Sequence, residues 1–324
     1  MGNGRYHGKQ KERIRRVGGI TVHINREDLR ILKNRCRRWG TRMIRRMYVD
    51  RPRIIVSMTS YPARINTVHM AIRSLLAQKM LPDCVVLWLC ESDFPNREAD
   101  LPESLLEILS KDVQIRWVRE DLRPHKKYYW ALQEYRDDYV IIVDDDLLYR
   151  NSMIGDLMKT HKIFPNAVVA ARTHLITFDQ HRRVLPYEQW VYEAPHYHHE
   201  LVNKASRRLF ATNGAGTLYP PQVHMPQETF NMADIQRLCL TADDLWLKVM
   251  QLRADIPVVA ATDDQLLRYV PGTQGEEALC HENTENGANN VILAAILDAL
   301  RTDYGWTGQF AEMVWDPTLD EYVK

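Results

Sequence analysis

Four short β-rich runs, Arg53–Ser57, Val85–Leu89, Val113–Val118 and Tyr139–Val143, alternate with segments of helical spacing. Nothing else in the chain limits its fold so strongly. Runs this short, apolar towards both sides, read as strands buried on two faces. Between them, Val68, Ile72, Leu75 and Leu76 mark one face of a helix over about residues 65–78. Leu105–Leu109 is helical in character, and residues 126–135 form another helix. Strand and helix in alternation predict an α/β domain, a mostly parallel sheet covered by helices, with ligands at the carboxyl ends of the strands.

Beyond residue 150 the pattern loosens. A helix is expected over 151–163, a strand over 167–171, and a turn at Asn213–Gly216 leading into the strand Thr217–Tyr219. Thr241 is placed to cap a helix over 241–251, and residues 289–300 suggest another. The stretch from 172 to 212 is rich in His, Tyr and Arg and has no clear period.

The formal charge of +1 hides an asymmetry, because residues 1–50 hold 15 of the 43 Lys and Arg but only 4 of the 42 Asp and Glu. Residues 1–19 read as a mobile polar tail. From Glu27 to Tyr48, Leu29, Leu32, Cys36, Trp39, Met43 and Met47 form a stripe backed by Arg and Lys, a basic amphipathic helix. It suits docking on the main domain or lying on an anionic membrane surface. The expected organisation is a basic tail and helix over 1–50, a main domain over 51–285, and a C-terminal helix and tail over 286–324. Five scattered cysteines without a C-x-x-C pair argue against structural zinc or a disulfide framework. With no long apolar run, the expectation is a cytoplasmic protein, peripheral at the membrane if the basic helix docks there.

The chemistry centres on Asp144-Asp145-Asp146, directly after a buried strand. Three adjacent carboxylates there repel one another and call for a cation. If the strand's alternation continues, Asp144 and Asp146 point together and Asp145 points away, so the first two can share Mn²⁺ or Mg²⁺ with a substrate pyrophosphate. Lys126 and Lys127 begin a helix, where an ammonium and backbone N–H groups can meet phosphate. Gly214 and Gly216 permit close approach of backbone to a ligand, and Asp243 and Asp244 open a helix.

In this order the motifs resemble those of family-2-like glycosyltransferases of the GT-A, Rossmann-like fold, over roughly Arg53 to His281. Asp144-Asp145-Asp146 is similar to that family's D-x-D motif. Ile54 to Arg64 resembles its nucleotide-holding strand and loop, which implies donor-binding roles for Thr59, Tyr61 and Arg64. Asp121 to Lys127 resembles the segment that supplies a cation to the donor phosphates, Lys126 foremost. Asn213-Gly-Ala-Gly216 resembles the glycine loop beside the donor sugar. Ala242-Asp243-Asp244 resembles the x-E-D motif whose last carboxylate is the base, with Asp in place of Glu at 243. The resemblance also implies nucleobase contact by Glu91, a donor-side role for Asp145 and a third metal ligand in His281.

The expected activity is thus metal-dependent transfer of a sugar from a UDP- or GDP-sugar to a glycan or lipid-linked acceptor, with inversion. Asp244 is the expected base, Asp243 its alternative, and the aromatic and His-rich stretch from Tyr187 to His199, with Trp190, the acceptor region. A sugar-phosphate nucleotidyltransferase would need a similar sheet and Asp-bound Mg²⁺. It would normally carry a Gly-rich basic loop after the first strand, and Thr59–Arg64 has no glycine. A non-catalytic carbohydrate- or nucleic-acid-binding module is the remaining class. A pure binder has no use for a base at Asp243-Asp244, and no nucleic-acid partner is expected.

Overall fold

The structure is a computed structural model that describes residues 13–17, 20–24, 51–273 and 287–323. The chain divides into Met1–Arg51 and Pro52–Lys324. In the first unit, β1 (Arg13–Val17) and β2 (Ile20–Ile24) pair antiparallel. This corrects the expectation of a structureless tail through residue 19. Ile14 and Val17 are followed by Gly18-Gly19 and then Ile20, Val22 and Ile24, a β-branched hairpin pattern around a two-glycine turn signal. The amphipathic segment Glu27–Tyr48 lies outside the described residues.

The second unit carries β3 (Ile54–Thr59), β4 (Cys84–Cys90), β5 (Val113–Val118) and β6 (Tyr139–Ile142). After them come β7 (Val168–Ala170), β8 (Thr173–Leu175), β9 (Ala205–Ser206), β10 (Leu209–Ala211), β11 (Thr217–Tyr219) and β12 (Val258–Ala260). One sheet runs β5-β4-β3-β6-β11-β7-β12-β9. The β5-β4-β3-β6 half and the β7-β12 pair are parallel. β11 is antiparallel to both of its neighbours, and β9 is antiparallel to β12. β8 and β10 form a separate antiparallel pair within the stretch that showed no period.

The helices are α1 (Val68–Leu76), α2 (Glu103–Leu106), α3 (Lys126–Tyr129), α4 (Ala131–Glu134) and α5 (Met153–His161). They continue with α6 (Ala194–Tyr197), α7 (Met232–Leu238), α8 (Asp243–Arg253), α9 (Ala288–Tyr304) and α10 (Phe310–Val314). Alternation along the strands sends Ile55, Val86, Trp88, Val140 and Ile142 to the face covered by Leu245, Trp246 and Val249 of α8. Ile54, Val56, Val85, Leu87 and Ile141 go to the opposite face, under Val68, Ile72 and Leu75 of α1 and Leu157 of α5. Each such side chain, fully buried, contributes roughly 1.5–3 kcal/mol. The result is the expected α/β fold, a mostly parallel central sheet flanked by helices in a Rossmann-like, GT-A-like arrangement.

One local expectation is corrected. Thr241 does not cap α8, whose N-cap is Ala242, with Asp243 and Asp244 in the first turn. The C-terminal segment supplies Ile296, Leu300, Phe310, Val314, Leu319 and Tyr322 to the main core of the second unit. Among the described residues no helix is long and apolar enough to cross a membrane.

Candidate active site

The carboxyl ends of β3 and β6 deliver the two central motifs side by side. β6 ends at Ile142, so the strand's alternation does not carry through the three aspartates. Asp145 and Asp146 share one partner, contrary to the expected division. Arg64 Nη1 lies 3.1 Å from Asp145 Oδ1 and 2.9 Å from Asp146 Oδ2, and Ser60 Oγ donates to Asp145 Oδ2 at 2.5 Å. Both Asp145 oxygens are thereby engaged. Burial raises the Asp145 carboxyl above its usual range, opposed by Arg64 and Ser60. Burial also disfavours charge on Arg64, but Asp145 and Asp146 outweigh it and hold the guanidinium charged.

Asp144 faces another group and is the most open of the three, with its side chain 39% exposed. Its Oδ1 accepts from Lys127 Nζ at 2.8 Å. Lys127 Nζ also lies 2.9 Å from Asp243 Oδ2, an ion pair without hydrogen-bond geometry, so that buried oxygen accepts no hydrogen bond. Burial works against charge on Lys127, but Asp144, Asp243 and Asp244 raise its pKa well above the ordinary lysine value. The backbone that carries Lys127 is held as well. Ser57 Oγ donates to the Lys127 carbonyl at 2.5 Å and accepts from Trp88 Nε1. His125, buried and kept neutral by desolvation with its pKa lowered to about 4, contacts the Cys239 carbonyl and so ties the start of α3 to the turn before α8.

The glycine loop closes this group. A Cβ on Gly214 would stand 1.6 Å from Asp144 Oδ2, so only glycine leaves that carboxylate its place. The Asp144 N–H donates to Gly214 O and to Tyr149 Oη, and the Tyr149 hydroxyl lies 2.6 Å from Gly214 O. Gly216 has φ +110°, a conformation that favours glycine, and a Cβ there would meet Met153 Sδ at 2.9 Å. Asp244 Oδ1 accepts from both the backbone N–H and the side-chain amide of Asn213, at 2.9 and 2.8 Å. Burial and then the neighbouring Asp243 raise the Asp244 carboxyl to about 7.

The remaining expected residues are placed as follows. Thr59 Oγ1 donates to the Trp88 carbonyl, and Tyr61 has the Arg64 guanidinium 5.7 Å from its ring centre. Glu91 pairs with Arg97 at 2.6 Å. Lys126 turns away from Asp144 to a salt bridge with Asp121, 4.0 Å from Asp93. Cys90, Asp93 and Asp121 bring ligand-type atoms within 4.8 Å of one another and could coordinate a divalent cation. Lys126 already competes for both of those carboxylates. Trp190 corrects the acceptor expectation: it is 4% exposed, packs on Tyr187 and Phe210, and donates to the Leu185 carbonyl, so no face is left for a sugar. His281 lies outside the described residues.

Several contributors escaped the sequence reading. Ser60 stands inside the motif Ile54 to Arg64, and Asn213 reads in the sequence only as part of a glycine turn. Tyr149, Tyr219 and Gln251 carried no local signal.

Asp144 offers an open carboxylate, and Asp146 lies two residues on with its side chain 12% exposed. Mg²⁺ and Mn²⁺ bound through one or two carboxylates, with substrate oxygens completing the shell, suit that set. Asp145, with both oxygens engaged, does not belong to it.

No protein-family profile matches the sequence, and no curated relative does. Among solved structures, S. aureus TarS 1-349 in complex with UDP aligns at 13% identity and TM-score 0.37, over 67% of this chain and 59% of that one, less than two thirds of its length. A second structure of TarS 1-349 aligns at 15% identity and TM-score 0.38, over 80% and 76% of the two chains. The 4-diphosphocytidyl-2C-methyl-D-erythritol synthase of Anaerococcus prevotii aligns at 11% identity and TM-score 0.39, over 72% and 96%. At such low identity and TM-score, what this site does has to be argued from its own residues.

Proposed function

We propose that this chain is a metal-dependent glycosyltransferase that moves a sugar from a nucleotide-sugar donor to an acceptor hydroxyl, with inversion. The observation that carries the reading is the bridge from Asp144 through Lys127 to Asp243, beside Asp244 and over Gly214. It joins an open carboxylate suited to a cation with a partly exposed carboxylate suited to accept a proton. Asp144 and Asp146 would hold Mn²⁺ or Mg²⁺, which when bound offsets the charge that builds on a leaving nucleoside diphosphate. Lys127, buried and charged, sets the position of Asp144 and adds positive potential at the same place. Arg64, Tyr61 and Thr59 form the nucleoside side, and Lys126 with Glu91 lies towards the carboxyl end of β4. Asp244 takes the acceptor proton through Oδ2, because Oδ1 is held by Asn213. A base whose pKa is raised to about 7 is well matched to proton removal near neutral pH. On the acceptor side, partly exposed Tyr187 replaces Trp190 as the candidate; it lies close enough to Asp244 to feel its charge. The acceptor would be a glycan or lipid-linked hydroxyl, and the setting the cytoplasmic face of a membrane, reached through the basic N-terminal segment.

The test is a thermal-shift screen of UDP, GDP and their hexose conjugates, with and without Mn²⁺. A ligand at about 100 times its dissociation constant stabilises by roughly 2.7 kcal/mol. Asp144→Asn should abolish the Mn²⁺-dependent shift. Asp244→Asn should keep it while cutting sugar transfer at least about 100-fold. Release of pyrophosphate from a nucleoside triphosphate and a sugar phosphate, with no transfer from any nucleotide sugar, would replace this reading with nucleotidyl transfer.

A further inference from the structure

Behind Asp244 runs a buried chain of hydrogen bonds. Gln251 Nε2 donates to Tyr219 Oη at 3.0 Å, Tyr219 Oη donates to Asn213 Oδ1 at 2.9 Å, and Asn213 Nδ2 donates to Asp244 Oδ1 at 2.8 Å. Asn213, Tyr219 and Gln251 are each no more than 2% exposed. The three come from the glycine loop, from β11 and from two turns along α8, so no single element requires them to meet.

Direction is what matters in this chain. An amide can turn over at little steric cost, and turned over, Asn213 would set a carbonyl oxygen against the Asp244 carboxylate. The Asp244 carboxylate oxygen accepts only, so the Asn213 NH₂ turns to it and Asn213 Oδ1 is left to accept the single proton of the Tyr219 hydroxyl. Only then does Asp244 Oδ1 take two donors at once and leave Oδ2 to the cleft.

We infer that Asn213 and Tyr219 are positioning residues that fix the carboxylate plane of Asp244. Asp244→Asn tests the underlying reading of Asp244 as the base, on which this inference rests. The relay itself is tested by a double-mutant cycle on the full chain. Asn213→Ala, Tyr219→Phe and the double variant are assayed for nucleoside diphosphate release from UDP-glucose or GDP-mannose, whichever shifts the melting temperature, with Mn²⁺. Each single variant should lower kcat about 10- to 100-fold, as loss of a hydrogen bond to a charged group would, while the KM for donor stays within about threefold. The double variant should be no slower than Asn213→Ala alone, because Tyr219 acts only through Asn213. A merely structural role would give effects that add, or a KM that rises with the fall in kcat. If Tyr219→Phe melts out, Tyr219→Phe/Gln251→Leu removes the donor left unpaired and serves in its place. An inactive Asp244→Asn together with additive or absent effects at Asn213 and Tyr219 overturns the inference alone. An active Asp244→Asn overturns the base assignment and the inference together.

Discussion

Replacing Asp244 by Asn should make the protein more stable while removing its activity, and the gain should depend on pH. Burial first and Asp243 second raise the Asp244 carboxyl from 3.8 to about 7, against the opposing pull of Lys127 and Asn213. The folded protein therefore keeps a proton that the unfolded chain releases near pH 4. By linkage, this group's contribution to stability is most favourable at low pH and declines as pH rises from about 4 to about 7. Taken in full the decline is about 4 kcal/mol. Asp244 retains some contact with solvent and shares its charge with Asp243 and Lys127, so about half of that, roughly 2 kcal/mol, is the expected size. Asparagine fits the same space, still accepts from Asn213 through Oδ1, and carries no charge to desolvate. For a unit of this size 2 kcal/mol corresponds to a rise in melting temperature of about 4 °C. The assay is thermal denaturation of wild type and variant at pH 5 and pH 8 in EDTA. The gap should be clearly larger at pH 8. An equal gap at both values, or a variant that melts lower at pH 8, would refute the assignment of a desolvated carboxylate beside Asp243 at this position.

Gly214→Ala should fold but lose Mn²⁺-dependent nucleotide binding by at least about 10-fold in calorimetry, because the new Cβ falls where Asp144 Oδ2 now lies. Lys127→Met should cost about 3 kcal/mol in urea denaturation at pH 7, the lower end for breaking a buried ion pair, since Asp144 can still be hydrated. Asp145→Asn should lower stability by about 1–3 kcal/mol through its lost bonds to Ser60 and Arg64 while leaving the Mn²⁺-dependent thermal shift in place, the reverse of Asp144→Asn.

The half of the fold built on β3 to β6 was legible because its strands are buried on both faces and separated by helices, so hydrophobic runs and their breaks fall at the element ends. Ile55–Thr59, Val85–Leu89 and Tyr139–Ile142 are strands in register with one another for that reason. Between residues 172 and 212 the same logic fails. Thr173–Leu175 and Leu209–Ala211 form a three-residue pair, too short to show a period, and the elements around them are single turns held by tertiary contacts. Trp190 was misplaced for a related cause: an aromatic residue in an aperiodic stretch says nothing about which way it faces, and here Tyr187 and Phe210 enclose it. Asn213, Tyr219 and Gln251 are joined by hydrogen bonds across 38 residues of chain, a relation no local pattern encodes.

The two lysines show how a motif can be found and its chemistry still divide differently. Consecutive residues on a helix point about 100° apart, so Lys126 and Lys127 cannot serve the same carboxylates. Lys126 goes to Asp121 and Asp93, Lys127 answers Asp144, Asp243 and Asp244, and Arg64 answers Asp145 and Asp146. Among the described residues, three carboxylates thus share the Lys127 ammonium. Such an excess is tolerable only if protons are retained, if solvent reaches the charge, or if further cations arrive. Asp244 takes the first course through its raised pKa, and Asp144 the second through its exposure. A nucleoside diphosphate, itself an anion, can enter such a cleft only in company with positive charge. The excess of carboxylate around Lys127 is therefore the physical reason to expect, for the proposed reaction, that nucleotide and divalent metal bind here together and that neither binds well alone.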